Sequence, residues 1–429
     1  MKNNFLKSTL ILLIGGGITK IIGLIIKIIY TRILQEDGIA LYSLIMPTYS
    51  LLMTLANFNI QTSISKQISS NHRAKKVIIN AIYIMFFLNL ILISITFLSA
   101  KLISTNLLKN PETFYPLLAC ALTLPFISIG YIIKGYFYGK QNVAPHMISN
   151  VLEQLLRLLV ISLILPQISK YGIVITVTSL ILLNILTETF SVIILIFFLP
   201  KKFKIKKEDL NYNKEESKEI LSITIPSISG RLLGNIGYFF EPIILTNILL
   251  SKGFSTTFIA KEYGIYNAYA VSTLLFPSFF IMAISNALLP EISKVYAEKN
   301  MKTLKKRIKE SLSLSLIVGI ICTTFIFIFK KQLLLLLYNT KEGINYINIL
   351  APFFVLFYLE SPLSSILIGL NKIKTCTFIS VSGIFIKLIA MTILAILNFQ
   401  IYALVISEII NIIYVTILNA FFLYKTIKK

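Results

Sequence analysis

Apolar runs about twenty residues long, separated by short polar stretches, repeat along the whole chain. They fall at about 8–31, 39–62, 77–99, 114–137, 146–166 and 172–199. After one longer polar stretch they resume at about 219–249, 265–289, 311–329, 346–369, 375–397 and 400–424. A helix needs roughly 20 apolar residues to cross a bilayer. The runs are continuous rather than alternating, and only helices or closed barrels satisfy their backbone groups in lipid. The pattern therefore predicts an all-α polytopic membrane protein of about twelve transmembrane helices. The polar stretch Lys201–Lys218 falls midway, so the organisation predicted is an N-terminal six-helix bundle over 1–200, a charged cytoplasmic linker over 201–218 and a C-terminal six-helix bundle over 219–429. Pro226 and Pro242 mark places where the seventh helix could kink.

The two halves resemble each other. Tyr138-Gly139-Lys140-Gln141-Asn142-Val143 aligns with Ile368-Gly369-Leu370-Asn371-Lys372-Ile373, and the same offset carries Arg157 onto Lys387. Ile64-Ser65-Lys66 aligns with Ile292-Ser293-Lys294, and Lys20-Ile21-Ile22-Gly23 with Arg231-Leu232-Leu233-Gly234. Six helices is an even number, so both halves run in the same direction. A pseudo-twofold axis along the membrane normal is expected, as in transporters built from parallel repeats.

Composition strengthens this reading. The chain has 429 residues, 56% hydrophobic and only 14% charged, whereas soluble domains average about 25% charged. The net charge of +23 is mostly a topology signal. With the N-terminus in the cytoplasm, about three basic residues lie on the inner side for each one outside, which sets both termini in the cytoplasm. The inner clusters are 66–76, 201–218 and 294–309; they would also attract anionic lipid headgroups. Nucleic-acid binding is not needed to explain the charge. The first apolar run carries Lys20 and Lys27 and has no small-x-small cleavage site, unlike a cleavable signal peptide. Cys120, Cys322 and Cys376 all lie in apolar runs, which implies no disulfide framework. His72 and His146 sit far from any cysteine, so no metal-ligand set and no Ser/His/Asp or Cys/His arrangement suggests itself. No G-x-x-x-x-G-K-[ST] loop appears. A non-enzymatic protein without cofactor or metal is expected.

Five of the basic residues inside the runs are assigned to the membrane: Lys20, Lys27, Arg157, Arg231 and Lys387. Each costs at least about 2.5–3.5 kcal/mol at a helix centre unless it faces protein or water. Gly16, Lys20, Gly23 and Lys27 share one helical face, as if the first helix lined a cleft. Gly15-Gly16-Gly17 reads as a packing or hinge feature. Glu153 and Arg157 stand i, i+4 in the favoured orientation and predict a structural ion pair. For Lys20, Lys27, Arg231 and Lys387 no acid lies one turn away. Pairing across helices with Glu188, Glu241, Glu360 or Glu408 and an open cationic cavity are equal alternatives. An open cavity would take an anion, and a polyphosphate group matches Arg and Lys donors best. Glu241-Pro242 suits a proton or cation site, with an ion pair to a lysine as the alternative.

One set of motifs carries a family likeness. Thr19-Lys20-Ile21-Ile22-Gly23, Lys27, Arg32, Gly38-Ile39-Ala40-Leu41-Tyr42 and Ser63-Ile64-Ser65-Lys66 resemble the polysaccharide transporters of the multidrug/oligosaccharidyl-lipid/polysaccharide (MOP) superfamily. Gly135-Tyr136-Phe137-Tyr138-Gly139-Lys140-Gln141, with Val151-Leu152-Glu153-Gln154-Leu155-Leu156-Arg157, is similar to the stage V sporulation protein B family, itself akin to MurJ-type lipid II flippases. The resemblance covers most of the chain. It implies a V-shaped pair of six-helix bundles, as in MATE and other MOP proteins, working as a secondary-transport flippase by alternating access. The cargo would be an undecaprenyl-pyrophosphate-linked precursor, lipid II or a polysaccharide repeat unit, crossing the bacterial cytoplasmic membrane. Lys20, Lys27, Arg32, Arg157, Arg231 and Lys387 are the candidate substrate-binding residues, with Arg32 matching a family Arg at the outer end of the first helix. Glu241, Glu360 and Glu408 are candidates for ion coupling, to Na+, H+ or the membrane potential. Crossing eleven, however, carries Lys387 and no acid. MurJ-type proteins have two further C-terminal helices without counterpart among the twelve runs. A monomer is expected. An ion-coupled multidrug antiporter of the MATE type is the alternative, although cationic drugs would be repelled by unpaired Lys and Arg.

Overall fold

The computed structural model describes residues 2–70, 74–200, 203 and 212–428. His72 and most of the expected linker, 201–202 and 204–211, lie outside the described residues. Helices occupy Lys2–Asn57 (α1), Ile60–Ser69 (α2), Ala74–Lys101 (α3), Phe114–Gly139 (α4), Ala144–Ile168 (α5), Ile173–Phe197 (α6), Lys214–Ser251 (α7), Thr256–Gly264 (α8), Ser272–Leu275 (α9), Ser278–Ala297 (α10), Met301–Tyr338 (α11), Ile344–Gly369 (α12), Ile373–Ile396 (α13) and Tyr402–Lys428 (α14). There is no strand among the described residues.

Ten of these helical stretches are long and apolar enough to cross a membrane, and an eleventh is the pair Thr256–Leu275 and Ser278–Ala297, bent by 52°. Pro277 stands at that bend and supplies its cause. The first stretch is itself two crossings. α1 has 56 residues, which would span about 84 Å if straight. Gln35 breaks it with φ 54 and ψ −164. The rings of Tyr30 and Tyr42 stand only 5.4 Å apart, where an unbroken helix would separate them by about 18 Å along its axis. The chain therefore turns back at the polar Gln35-Glu36-Asp37 stretch, and twelve crossings result among the described residues. α7 is helical through both Pro226 and Pro242.

Two compact units divide the chain, Met1–Phe239 and Phe240–Lys429. The division falls inside α7 rather than in the linker, because the first half of α7 is bound to the first unit. Ser63 Oγ donates to the Ile220 carbonyl (3.2 Å), and Asn80 Nδ2 donates to Glu216 (3.0 Å). Ser50 donates to Asn235, which donates in turn to Thr54 (2.9 and 2.7 Å). The first unit's core joins Ile60, Ile64, Met85, Ile132, Phe137 and Ile220; the second unit's joins Ile292, Ile308, Leu363, Ile366, Ile379 and Val415. On α11, Ile317, Ile321, Phe325 and Ile328 are exposed at helical spacing, the face that hydrocarbon covers in a membrane.

The repeat seen in the sequence has a structural counterpart. After α4, the amides of Lys140, Gln141 and Asn142 donate to the carbonyls of Tyr136, Tyr138 and Phe137. After α12, the amides of Leu370, Asn371 and Lys372 donate to those of Ile366, Ile368 and Leu367, the same three bonds at the aligned positions. Gln141 (φ 55) and Asn371 (φ 60) share the left-handed conformation that reverses the chain.

Candidate functional site

In the first unit, four helix faces line a cavity of about 240 Å³. α1 contributes Gly23, Lys27 and Tyr30 before its turn and Tyr42 and Tyr49 after it; α5 contributes Gln154 and Arg157; α6 contributes Leu180, Leu183 and Asn184. Each helix supplies residues three, four or seven apart, which is one face of a helix. The lining is cationic and hydroxyl-rich, and no carboxylate is part of it. Of the glycines on α1, Gly23 lines this space. A Cβ on Gly16, Gly17 or Gly23 would meet nothing within 4 Å, whereas one on Gly15 would lie 2.6 Å from Met147 Cε. Only the first glycine of Gly15-Gly16-Gly17 is a packing residue, and the Gly16–Lys20–Gly23–Lys27 stripe borders open space.

Arg157 is held as its spacing predicts. Its Nη2 donates to Glu153 Oε1 (2.9 Å) and to Thr187 Oγ1 (3.0 Å). Glu153 is 5% exposed, so the guanidinium compensates a buried carboxylate. Arg157 Nε is buried without a hydrogen-bond partner. Lys27 is half-buried, while Lys20, Arg32 and Arg231 are exposed. Arg231 sits one turn before Asn235, whose bonds to Ser50 and Thr54 fix α7 there. Lys134 and the acid Glu188 also lie in this unit. Lys134 is 8% exposed with its ammonium 5.6 Å from the Tyr131 ring centroid. Glu188 Oε2 rests against the space a Cβ would occupy on Gly130. Lys134 is not among the basic residues singled out from the sequence; the glycine one turn earlier, Gly130, is a signal of its burial.

Lys387 is placed differently from its repeat partner. Its Nζ lies 2.5 Å from Glu241 Oε2 and 2.7 Å from Glu408 Oε2. α7, α13 and α14 thus meet at one ammonium. Of the two alternatives left open for Lys387, pairing across helices is the observed one, and this lysine is not an open phosphate ligand. Tyr263 OH donates to the other Glu241 oxygen (3.1 Å), and Glu241 is 2% exposed. Gly383, one turn before Lys387, permits the close approach, since a Cβ there would lie 2.6 Å from Val415 and 2.7 Å from Asn411 Oδ1 of α14. Glu360 of α12 stands within electrostatic reach of Glu408 and has one oxygen buried without a partner. So Glu241, Glu360 and Glu408 belong to one unit, with Lys387 bonded to two of them. Among the described residues no three His, Cys, Asp or Glu side chains are placed to hold a metal ion.

Chemically, the first unit offers a small acid-free cavity with cationic donors, and the second a buried carboxylate set closed by a lysine. Comparison with known proteins puts these in a family. A family profile described as "Polysaccharide biosynthesis protein" matches residues 5–296, and a MatE profile matches 242–394. Stage V sporulation protein B of Bacillus subtilis is 30% identical over 90% of this chain and 77% of that protein. The lipid II flippase MurJ of Bacillus subtilis is 22% identical over 91% of this chain and 77% of that protein. A solved inward-facing conformation of a multidrug resistance MATE family transporter of the MOP superfamily has the same fold, with TM-score 0.78 and 16% identity over 96% of this chain and 94% of the other. The chain belongs to the polysaccharide biosynthesis protein family.

Proposed function

We propose that the protein is a flippase that carries an undecaprenyl-pyrophosphate-linked cell-wall or polysaccharide precursor across the bacterial cytoplasmic membrane by alternating access. It acts as a monomer with both termini in the cytoplasm, without cofactor. The observation that carries this reading is the first unit's cavity: Lys27 and Arg157 line it and no acid does. Its 240 Å³ suits a diphosphate and is too small for the attached glycan. Lys20 and Arg231 are exposed on the same unit and are its further candidate cations. The similarity to a protein named as a lipid II flippase supports the same substrate class.

An ion-coupled multidrug antiporter is the second reading, favoured by the second unit's three carboxylates. A cationic drug gains nothing from a cavity walled by Lys27 and Arg157, and for that reason we place it second.

Headgroup accessibility in cells or liposomes tests the proposal. Charge-assisted hydrogen bonds contribute about 1.5–3 kcal/mol each, so a Lys20→Ala/Arg231→Ala variant should translocate a lipid-linked pyrophosphate substrate more than tenfold more slowly while folding normally. Unchanged translocation by that folded variant overturns the assignment, and proton- or sodium-driven efflux of a cationic dye would put the antiporter in its place.

A further inference from the structure

We infer that the Lys387 ammonium is a built-in cation: it fills a slot between Glu241 and Glu408 that would otherwise take a free monovalent cation of sodium's size. The inference concerns the second unit alone and does not rest on the substrate assigned to the first.

The geometry points to a filled site. The ammonium lies 2.5 Å from one carboxylate oxygen and 2.7 Å from another. Oxygen ligands hold calcium ions at about 2.3–2.6 Å, and sodium is of nearly the same radius, so a sodium ion midway between these oxygens would need only a few tenths of an ångström of adjustment. The oxygens come from different helices, α7 and α14, and are fixed from behind. Tyr263 holds the second oxygen of Glu241, and the Gly383 contact presses α13 onto α14.

The charge count points the same way. Three acids, Glu241, Glu360 and Glu408, share the region with one lysine. Without Lys387 two adjacent carboxylates would face each other at 2% and part exposure with nothing between them, an arrangement that demands a counter-cation. Further oxygen donors stand ready: Glu360 Oε1 and Asn411 Oδ1 are both buried without hydrogen-bond partners, and Asn411 is one helical turn beyond Glu408. A tethered amine also differs from a free ion in one respect that matters for transport. It cannot leave, so a sodium gradient has no handle on this cluster.

The experiment is thermal unfolding of the full-length protein in detergent, in sodium, lithium, potassium or choline chloride at one ionic strength. The wild-type midpoint should be the same in all four. Lys387→Ala should unfold several degrees lower in choline and recover in a saturable way with sodium or lithium, and methylammonium should restore it as well. Adding Glu241→Gln should abolish that recovery. If Lys387→Ala does not accumulate, Lys387→Gln, which keeps the side chain's polarity and removes its charge, is measured instead with the same expectation. Sodium-specific stabilisation of the wild type that is lost in Glu241→Gln overturns the inference, because the slot would then admit a free ion beside the lysine. So does a folded Lys387 variant indifferent to every cation. A failure of phosphate-linked transport, by contrast, would leave these readouts untouched.

Discussion

Arg157 touches both a buried acid and a cavity, and a double-mutant cycle separates the two roles. Arg157→Met removes the guanidinium from Glu153, which is 5% exposed, and strips a hydrogen bond from Thr187. Leaving one partner of a buried pair uncompensated costs about 3–5 kcal/mol. Glu153→Gln is milder: the amide oxygen still accepts from Nη2, and the arginine side chain is 22% exposed, so about 1 kcal/mol is expected, the net value of one hydrogen bond. In the double variant neither charge remains, and replacing a buried pair by neutral groups is often close to neutral. With the double variant about 1 kcal/mol below wild type, the predicted coupling is about 3–5 kcal/mol, at or above the upper end of measured values for contacting residues.

The chain contains no Trp, but Cys120 is free and fully buried in the first unit, so with Cys322 and Cys376 of the second unit changed to Ser a thiol-reactive dye reports the first unit's unfolding. At about 2–4 °C per kcal/mol for a unit of this size, Arg157→Met should lower the midpoint by roughly 10 °C and the double variant by only a few degrees. Transport of the lipid-linked substrate is measured on the same samples. If Arg157 also meets the diphosphate, the double variant regains stability without regaining transport. Recovery of both would refute a substrate role for Arg157, and a wild-type midpoint for Arg157→Met would refute the structural role of the pair.

Two glycines give contrasting expectations. Gly23→Phe projects a ring into the cavity, where a Cβ meets nothing within 4 Å; translocation should fall at least tenfold while the dye-reported midpoint moves by no more than the ~1 kcal/mol that separates Gly from better helix formers, and normal transport would show that the cavity is not on the substrate's route. Gly139→Val should do the reverse, lowering stability by about 1–3 kcal/mol through overpacking, because its Cβ would lie 2.7 Å from Ile68 Cβ and 3.1 Å from the Ser65 carbonyl, atoms that no side-chain rotation can move away; a midpoint equal to wild type would refute the close α2–α4 contact.

The parts of this structure legible in the sequence are those governed by solvent or by neighbours along the chain. Lipid demands apolar runs of fixed length, so the crossings could be read directly, including the return at Gln35. The Glu153–Arg157 pair lies on one helix and was legible from its i, i+4 spacing. The matched turns at Gln141 and Asn371 were legible because a chain reversal depends on a few adjacent residues. Contacts between helices were not. Lys387 meets Glu241 and Glu408 from two other helices, and nothing in the spacing of those residues distinguishes a bridge from an open cavity. The cavity itself forms inside the first unit because Gly23, Lys27, Arg157 and Asn184 turn toward one another, a matter of helix rotation that a hydropathy profile does not encode. Lys134 escaped for the same reason, since a lysine near a crossing's end looks the same whether it reaches water or is folded against Tyr131.

The repeat makes the functional contrast sharper than either site does alone. Arg157 and Lys387 occupy aligned positions, so duplication delivered a cation to the same depth of both units. In the first unit the compensating acid stands one turn away on the same helix, and the Arg157 side chain still lines a cavity. In the second unit the position aligned with Glu153 is Gly383. That exchange removes the local acid and at once lets α14 close in, with Glu408 and, from α7, Glu241 supplying the missing charge from outside the helix. One substitution, acid to glycine, thus accounts for both differences: a cation paired within its own helix beside a cavity in one unit, and a cation consumed in holding three helices together in the other. A carrier needs both properties, a place where cargo binds and a body rigid enough to work against. Exchanging the residues at these two positions, Glu153→Gly and Gly383→Glu, should damage both units, the first by leaving Arg157 without its acid and the second by driving Asn411 and Val415 off α13.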